Sequence, residues 1–315
     1  MATPMMLTKS DYQSICRWIY RNARPLDLAR WQYHFENGSA EAVLGALTAY
    51  QNDDGGFGHA LEADCWNPES APMQTWAAAC ILREVNAPKA HPAAQGVLRF
   101  LDSGAHFQDG LWMGAIPSNN DFPHAPWWAF SDQSREAWGY NPTVSLAGFV
   151  MQYGERNTAL YQKAEALIKR AAADFIAGRT KEKDMHEVSV FCELLAACKA
   201  AGRTDLLEET AFEEKLKGAV RTLVGTDPQA WSEGYVCTPS RFILSPDSPF
   251  YPGSEGLPEQ ECDLLLQTRN ADGVWDITWS WGAYEREFAV SENWWKASGA
   301  IEKLLFLRAF GKIEE

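Results

Sequence analysis

The chain has 315 residues, of which 46% are hydrophobic and 22% charged. A chain of this length buries about 75% of the surface that its unfolded form exposes, so disordered proteins and disulfide-dependent miniproteins are excluded. Its 42 acidic and 28 basic side chains give a net charge of −14. Nucleic acid and anionic membrane surfaces bind through clustered lysine and arginine, so neither is expected as a partner. Fourteen tryptophans remain to be explained.

The lack of a recognisable targeting signal and the pattern of the cysteines predict a soluble, cytoplasmic protein. The segment Met1–Lys9 has no basic region followed by an apolar core. No uninterrupted apolar run approaches about 18 residues, so no membrane span is expected. The seven cysteines are odd in number and form no Cys-x-x-Cys pair. We interpret them as reduced, mostly buried, small hydrophobic residues.

Apolar residues at helical spacing, with boundary signals such as Asn141 before Pro142 and Gly202 after Ala201, predict an all-α protein. In chain order, the predicted helices lie near residues 9–22, 38–51, 71–86, 91–103, 142–153, 156–178, 184–201, 204–224, 256–268 and 291–310. Long loops rich in Gly, Pro, Trp and Asp lie at 52–70, 104–141, 225–255 and 269–290. Loops of this length in a helical protein usually carry function or cover a cavity.

Three strings with the pattern Asp-Gly-x-aromatic begin at Asp54, Asp109 and Asp272. The first two are 55 residues apart, and the next interval of 163 residues is close to three more such periods. Each string predicts a turn in which Gly has a positive φ, Asp caps the backbone and the aromatic ring covers a helix junction. The spacing predicts five to six helix pairs of about 54 residues, closed into a single α/α toroid domain over 1–315.

The segments that contain the first and third strings carry a family resemblance. Gln51–Gly58 and Gln267–Trp275 resemble the glutamine–tryptophan repeats of the squalene cyclase and protein prenyltransferase superfamily. The stretches Gly58–Asp64 and Gly273–Trp279 are similar to a bacterial branch of toroid proteins. The resemblance implies an α/α toroid with a central aromatic cavity for an apolar, isoprenoid-type substrate.

The chain departs from that superfamily at its signature motifs. It contains neither the Asp-x-Asp-Asp acid motif of triterpene cyclases nor the Asp-Asp-x-x-Asp magnesium motif of terpene synthases. The pairs Asp64-Cys65 and Cys262-Asp263 are adjacent, whereas the zinc-binding prenyltransferases use Asp-x-Cys. The six histidines show no paired metal-ligand spacing, so we expect no metal and no cofactor.

The best candidates for chemistry are His59, Glu62 and Asp64, which lie within six residues of a Gly-rich turn. A carboxyl group desolvated by indole rings keeps its proton near neutral pH and can protonate an alkene, an epoxide or a glycosidic oxygen. We expect Glu62 or Asp64 to be the acid and His59 its orienting or proton-restoring partner. Asp54 is a further catalytic candidate, because a second carboxylate precedes it. The ordinary alternative is a hydrogen-bonded loop that caps the helix near Ala71.

Aromatic residues of the long loops are expected to line the cavity, where they can stack on a substrate and stabilise carbocations. The predicted substrate-binding residues are Trp112, Trp127, Trp128, Trp138, Trp279, Trp281, Tyr284 and Arg135.

The expected function is acid-initiated cyclisation or rearrangement of an isoprenoid-type molecule, as in a terpene cyclase-like isomerase or lyase. One alternative is a glycosidase- or lyase-like enzyme, which needs a second carboxylate such as Asp276 or Glu292 at a defined distance from the first. The other alternative is a non-catalytic ligand-binding or scaffold protein, which the absence of signature motifs favours.

Overall fold

The computed structural model describes residues 5–314, apart from the side chains of Arg135, Glu136 and Glu233. The substrate-binding role predicted for Arg135 therefore lies outside the described residues. Most of the described chain is helical, which confirms the all-α prediction. No helix within 5–314 combines the length and the apolar character needed to cross a membrane.

The bounds of the helices follow the chain order. They are α1 (Lys9–Asn22), α2 (Pro25–Phe35), α3 (Ala40–Leu47), α4 (Pro72–Glu84), α5 (Pro92–Ser103), α6 (Ser134–Trp138), α7 (Thr143–Tyr153), α8 (Ala159–Ile176), α9 (Met185–Ala201), α10 (Glu209–Leu223), α11 (Pro228–Glu233), α12 (Leu257–Gln267) and α13 (Glu285–Ala309). Short 3₁₀ helices lie at 48–50, 117–121, 126–128, 204–206 and 239–241.

Helix ends mostly follow the capping signals in the sequence. The N-cap of α1 is Thr8, whose side chain accepts a hydrogen bond from the Asp11 N–H at 3.1 Å. Gly202 ends α9 in the left-handed conformation, as predicted, with φ of 63°. Asn141 is not the N-cap of α7, because Pro142 occupies that position. The buried Oδ1 atom of Asn141 has no hydrogen-bond partner among the described residues.

A two-stranded antiparallel hairpin, β1 (Phe107–Gln108) and β2 (Leu111–Trp112), forms around the second Asp-Gly string. The turn residues Asp109 and Gly110 have φ values of 52° and 81°. Positive φ at both central residues is the requirement of a type I′ turn, which Asp-Gly satisfies well.

The first and third strings form one kind of turn. In the first, the Gly55 N–H donates to the carbonyl oxygen of Asn52 at 2.9 Å, and in the third the Gly273 N–H donates to that of Asn270 at 2.9 Å. In both, the Asn N–H donates to the carbonyl oxygen four residues later, at 2.9 and 2.7 Å. Both glycines have positive φ, as predicted. The two strings are therefore structural equivalents.

The aromatic residue of each string is buried, with exposures of 0% for Phe57, 1% for Trp112 and 4% for Trp275. The Phe57 N–H donates to the Thr75 hydroxyl at 3.1 Å, and the Trp112 N–H donates to the Thr143 hydroxyl at 2.9 Å. Each threonine lies in the first turns of a helix, so these strings anchor a loop to a following helix.

The chain divides into two compact units. Unit 1 comprises Met1–Val43, Val220–Ser280 and Glu285–Glu315. Its core is built from apolar side chains of α1, α2, α12 and α13, around the fully buried Trp31. Burial of these side chains is the main favourable contribution to the folding of this unit.

Unit 2 comprises Leu44–Ala219 and Trp281–Tyr284. Its central helix is α7, in which every residue from 143 to 151 is buried. This helix packs against α8 and α9. Gly148 permits a close approach, because a Cβ atom there would lie 2.9 Å from the Cβ atom of Ala197.

Candidate functional site

The candidate site is the loop between α3 and α4, residues 58–71, which we call the carboxylate loop. It begins at Gly58, where a Cβ atom would lie 2.3 Å from the carbonyl oxygen of Pro68, so only glycine fits without movement. His59 and Ala60 follow with φ values of 58° and 60°. Left-handed backbone costs about 1–2 kcal/mol for a residue with a side chain, so two in succession mark a strained turn.

This turn is followed by two buried carboxyl groups. Glu62 is 9% exposed and Asp64 is 3% exposed. The Asp64 N–H donates to Oε2 of Glu62 at 3.0 Å, and the indole N–H of Trp281 donates to Oδ1 of Asp64 at 2.8 Å. Burial disfavours the charged form of a carboxyl group, whereas N–H donors favour it.

The loop is fastened to α4 by one buried amide. Gln74, which is 1% exposed, accepts a hydrogen bond from the Glu62 N–H at 3.0 Å. It donates from Nε2 to the carbonyl oxygens of Cys65 at 3.0 Å and Asn67 at 3.2 Å. Gln74 therefore fixes the backbone on both sides of Asp64. The sequence analysis missed this residue, although its position in the first turn of a predicted helix was visible.

The second long loop packs directly on the carboxylate loop. The Ala125 N–H donates to the carbonyl oxygen of Asp64 at 2.8 Å. Asn67 Nδ2 donates to Oδ1 of Asn119 at 2.9 Å, and Asn119 Nδ2 donates to the carbonyl oxygen of Trp128 at 3.0 Å. These bonds bring the Pro-Trp-Trp segment to the backbone of Asp64 and the side chain of Asn67.

The second long loop contains a pair of stacked indole rings. Trp128 and Trp138 stack in parallel with ring centroids 4.6 Å apart. A Cβ atom at Gly114 would lie 2.3 Å from the Trp138 ring, so the indole rests against the glycine backbone. Trp128 is 6% exposed, and its indole N–H has no hydrogen-bond partner among the described residues.

Two further predicted aromatic residues lie at the surface of unit 2. Tyr284 is 43% exposed, and its ring centroid is 6.0 Å from that of His124. His124 pairs with Cys65 of the carboxylate loop in an isolated β-bridge. Trp127 is 39% exposed. Both rings are accessible to solvent, and their role in substrate binding stays a prediction.

The remaining predicted residues of unit 2 have other surroundings. Exposed Asp54 accepts hydrogen bonds at Oδ1 from the Gly56 N–H at 2.9 Å and the Ser70 hydroxyl at 2.7 Å, so it caps its own turn. His59 is exposed, and its Nε2 forms a 2.8 Å hydrogen bond with Oδ1 of Asn52. Trp112 is 1% exposed and packs edge-on against a neighbouring phenylalanine.

Trp279 belongs to unit 1, whereas Trp281 belongs to unit 2. The half-buried ring of Trp279 lies edge-on to Tyr235 and to Trp295, with centroid distances of 5.6 Å to each. Trp281 is 2% exposed. The two tryptophans predicted as a pair of ligand contacts therefore have different neighbours.

A second polar cluster of unit 2 was missed by the sequence analysis. Oε2 of Glu193 on α9 accepts hydrogen bonds from the Trp76 indole N–H at 2.9 Å, the Cys80 thiol at 3.7 Å and the Ser145 hydroxyl. Nη1 of Arg83 lies 3.8 Å from the same oxygen. Burial raises the pKa of the Cys80 thiol well above its ordinary value, so this thiol is a poor nucleophile. The cluster joins α4, α7 and α9.

The described residues show no group of three or more His, Cys, Asp and Glu side chains arranged to hold a metal ion. Two surface depressions lie elsewhere. One of about 450 Å³ is lined by Tyr12, Phe35 and Arg308 among others, and one of about 760 Å³ is lined by Tyr153 and Tyr161 among others. Neither has a described lining residue from the carboxylate loop.

No family model matches the chain, and neither a curated protein nor a solved structure is significantly similar to it. The resemblance to the squalene cyclase superfamily therefore stays a prediction. The turns at Asp54 and Asp272, which lie in the segments that carry the resemblance, have the same two hydrogen bonds. In each turn, the N–H of the Asn two residues before the Asp donates to the carbonyl oxygen of the residue two positions after the Asp. The Gly N–H donates to the carbonyl oxygen of that Asn.

Proposed function

We propose that the chain is an α/α toroid protein that binds an apolar, isoprenoid-type molecule and cyclises or rearranges it after protonation by Glu62 or Asp64. The observation that carries the proposal is the buried Asp64 carboxyl group, with the Trp281 indole N–H 2.8 Å from Oδ1. The equivalent turns at the two ends of the chain support the repeat architecture.

The surroundings suit a group that donates a proton once in each cycle. In this proposal, the buried carboxyl group holds a proton before the reaction. Transfer of its proton to an alkene carbon forms a C–H bond, and leaves a carbocation on the substrate and a carboxylate on the protein. The N–H groups of Trp281 and Asp64 then stabilise this anion.

Aromatic surfaces suit the cationic partner of this reaction. Trp128 and the exposed ring of Tyr284 lie on segments that contact the carboxylate loop, and Trp138 stacks on Trp128. Such rings attract a cation through their faces. Because Asp64 is 3% exposed, the substrate reaches it only when the loop opens, and closure excludes water from the carbocation.

The proposal also gives roles to two other predicted residues. Exposed His59 lies at the start of the carboxylate loop and restores the proton from solvent in this proposal. Asp54 keeps the preceding turn in place through its bonds to Gly56 and Ser70.

The carbohydrate alternative has less support in the structure. Lys296 lies 2.9 Å from Oδ1 of Asp276 and 2.8 Å from Oε1 of Glu292. The hydrogen bond from Lys296 lowers the pKa of Asp276, so of the two carboxyl groups that a glycosidase needs, Asp276 can supply only the ionised one. A non-catalytic binding function is favoured by one observation, that backbone and indole N–H groups already occupy the carboxyl oxygens of the loop.

A panel of ligands and two amide variants test the proposal. Thermal unfolding with polyprenyl alcohols, polyprenyl diphosphates and squalene-like hydrocarbons should show stabilisation by at least one of them, whereas oligosaccharides should have no effect. Products are then analysed by gas chromatography and mass spectrometry. We expect Glu62→Gln or Asp64→Asn to abolish turnover while binding persists, and Glu69→Gln, an exposed carboxylate of the same loop, to retain it.

Three outcomes separate the candidates. Full turnover in both amide variants contradicts the acid role. Isoprenoid binding without turnover in the wild-type protein leaves the non-catalytic binding function. Stabilisation by oligosaccharides alone favours the carbohydrate-active alternative.

A further inference from the structure

We propose that the depression of about 450 Å³ in unit 1 binds a small aromatic carboxylate, and that Arg308 binds its carboxylate group. A volume of this size is typical of small-molecule sites, which combine apolar and aromatic side chains with a few polar groups. This inference does not depend on the carboxylate loop, which belongs to unit 2. We call the depression the Arg308 pocket. Its lining includes Tyr12, Tyr33, Phe35, Arg308, Ile313 and Glu314.

The aromatic wall of the Arg308 pocket rests on the core of unit 1. The ring centroid of Phe35 lies 4.7 Å from that of Trp31 and 6.3 Å from that of Tyr12. Trp31 is fully buried, and its indole N–H donates to Oε1 of Glu36 at 2.7 Å. The core therefore holds this wall in place before a ligand binds, which reduces the entropy cost of binding.

Arg308, in the last turn of α13, supplies a positive charge beside this wall. Its Cζ atom lies 5.0 Å from the ring centroid of Phe35, and Nη1 donates to the carbonyl oxygen of His34 at 2.8 Å. These two contacts hold the guanidinium at the pocket. A guanidinium has five N–H donors, and the others of Arg308 have neither an acceptor nor an ion-pair partner among the described residues. Two such donors can bind both oxygens of a carboxylate.

The carboxyl group of Glu314 also lines the pocket, but it is bound at another helix. Its Oε2 atom accepts a hydrogen bond at 3.1 Å from the N–H of Lys9, the first residue of α1. The N-terminus of a helix attracts negative charge, so this contact leaves Arg308 available to a ligand. The Glu314 carboxylate still repels further negative charge. A carboxylate with a single charge therefore fits better than a phosphate dianion.

Tyr12 offers a second donor to the same ligand. Its hydroxyl has no hydrogen-bond partner among the residues that the structure describes, and its ring is half-buried. Burial raises the pKa of Tyr12, and the charge of Arg308 opposes this effect in part. The hydroxyl therefore keeps its proton and can donate to a ligand oxygen. Guanidinium, hydroxyl and aromatic wall together suit an apolar ring that carries one carboxylate.

Isothermal titration calorimetry on the full chain tests this assignment with three probes of similar shape, namely naphthoate, naphthamide and naphthyl phosphate. We expect naphthoate to bind, and added salt to weaken its binding. Naphthamide, which is uncharged, should bind at least about 10-fold more weakly, because it loses the charge-assisted bonds to Arg308. Naphthyl phosphate should also bind more weakly than naphthoate, because its second negative charge meets Glu314.

Three variants and a control locate the site. Arg308→Gln should weaken naphthoate binding by about 10- to 100-fold, and Tyr12→Phe by about 2- to 10-fold. Glu314→Gln should strengthen it by about 2- to 5-fold, because a repulsive charge is removed. The control is Arg286→Gln, which replaces an exposed arginine of the same helix that does not line the pocket, and its affinity should stay at the wild-type value.

Four results overturn the proposal. The first is a wild-type protein that does not bind naphthoate at millimolar concentration. The second is wild-type affinity in an Arg308→Gln protein whose urea midpoint shows that it is folded. The third is naphthyl phosphate that binds as tightly as naphthoate or more tightly. If Arg308→Gln does not fold, the decision passes to the other two variants, and an affinity that neither Tyr12→Phe nor Glu314→Gln changes is the fourth.

Discussion

Replacement of Gln74 by Leu tests how the carboxylate loop is held. Leucine keeps nearly the same volume, but it removes three hydrogen bonds, to the Glu62 N–H and to the carbonyl oxygens of Cys65 and Asn67. Each bond contributes about 1 kcal/mol net, and three of them give about 3 kcal/mol. Since Gln74 is 1% exposed, water does not replace the lost partners.

The assay combines urea unfolding with amide hydrogen exchange. We expect Gln74→Leu to lower the free energy of unfolding by about 3 kcal/mol, or to lose exchange protection across 58–71 when the loop opens locally. The control is Gln95→Leu, because Gln95 is exposed and makes one bond, to the Lys89 carbonyl oxygen at 2.7 Å. The control should stay within about 0.5 kcal/mol of the wild-type protein. A Gln74→Leu protein with wild-type stability and wild-type exchange in the loop would refute the reasoning.

Three further predictions concern glycine, acid and indole positions. Gly58→Ala should destabilise the protein by about 1–3 kcal/mol in urea unfolding, because its Cβ atom would lie 2.3 Å from a carbonyl oxygen. Gly45 has open space around it, so Gly45→Ala should be neutral or stabilising by up to about 1 kcal/mol. If Gly45→Ala were more destabilising than Gly58→Ala, this description of the packing at the two glycines would be wrong. The Tyr140 hydroxyl lowers the pKa of Asp174 below its ordinary value of 3.8, so the ionised carboxylate stabilises the fold above that pH. This stability is lost as the pH falls through the folded-state pKa of Asp174. When urea unfolding is measured at a series of acidic pH values, the midpoint of Asp174→Asn should therefore decrease less with falling pH than that of the wild-type protein. Trp281→Phe should cost about 1–3 kcal/mol, because it removes a hydrogen-bond donor from the buried carboxyl group of Asp64, and a change below about 0.5 kcal/mol would mean that this bond contributes little.

Helix positions could be predicted where the apolar spacing is long and the ends are marked. The prediction at 9–22 has the bounds of α1, and those at 71–86 and 91–103 differ from α4 and α5 by one or two residues. The prediction missed α2, although Pro25 at its first position is a start signal, because only two residues separate it from α1. It also missed α6 and α11, which have five and six residues and are too short to show a helical period.

The last helix begins six residues before its predicted start near 291, at Glu285. Glu285, Arg286 and Glu287 are good helix formers, but they lack the apolar spacing on which the prediction depended. The loop that was predicted over 269–290 is therefore shorter than expected.

The sequence predicts only the part of the candidate site whose residues lie close together in the chain. The cluster of Glu62 and Asp64 was visible because the residues are close in the chain. Their burial depends on Gln74 and on Trp281, which is 217 residues away from Asp64. The pairing of Trp76 with Glu193 joins two residues, on α4 and α9, that are 117 positions apart in the chain. Contacts of this kind follow from tertiary packing, which periodicity and turn signals do not specify.

Deuterium incorporation tests the central claim most directly. An isoprenoid substrate that stabilises the protein is incubated with it in deuterium oxide, and the product is analysed by mass spectrometry. If Glu62 or Asp64 starts the reaction by protonation, the product gains one deuterium at the carbon that receives the proton, and Asp64→Asn or Glu62→Gln forms none of this product. A product of unchanged mass, or full turnover by both amide variants, would contradict acid initiation by the carboxylate loop.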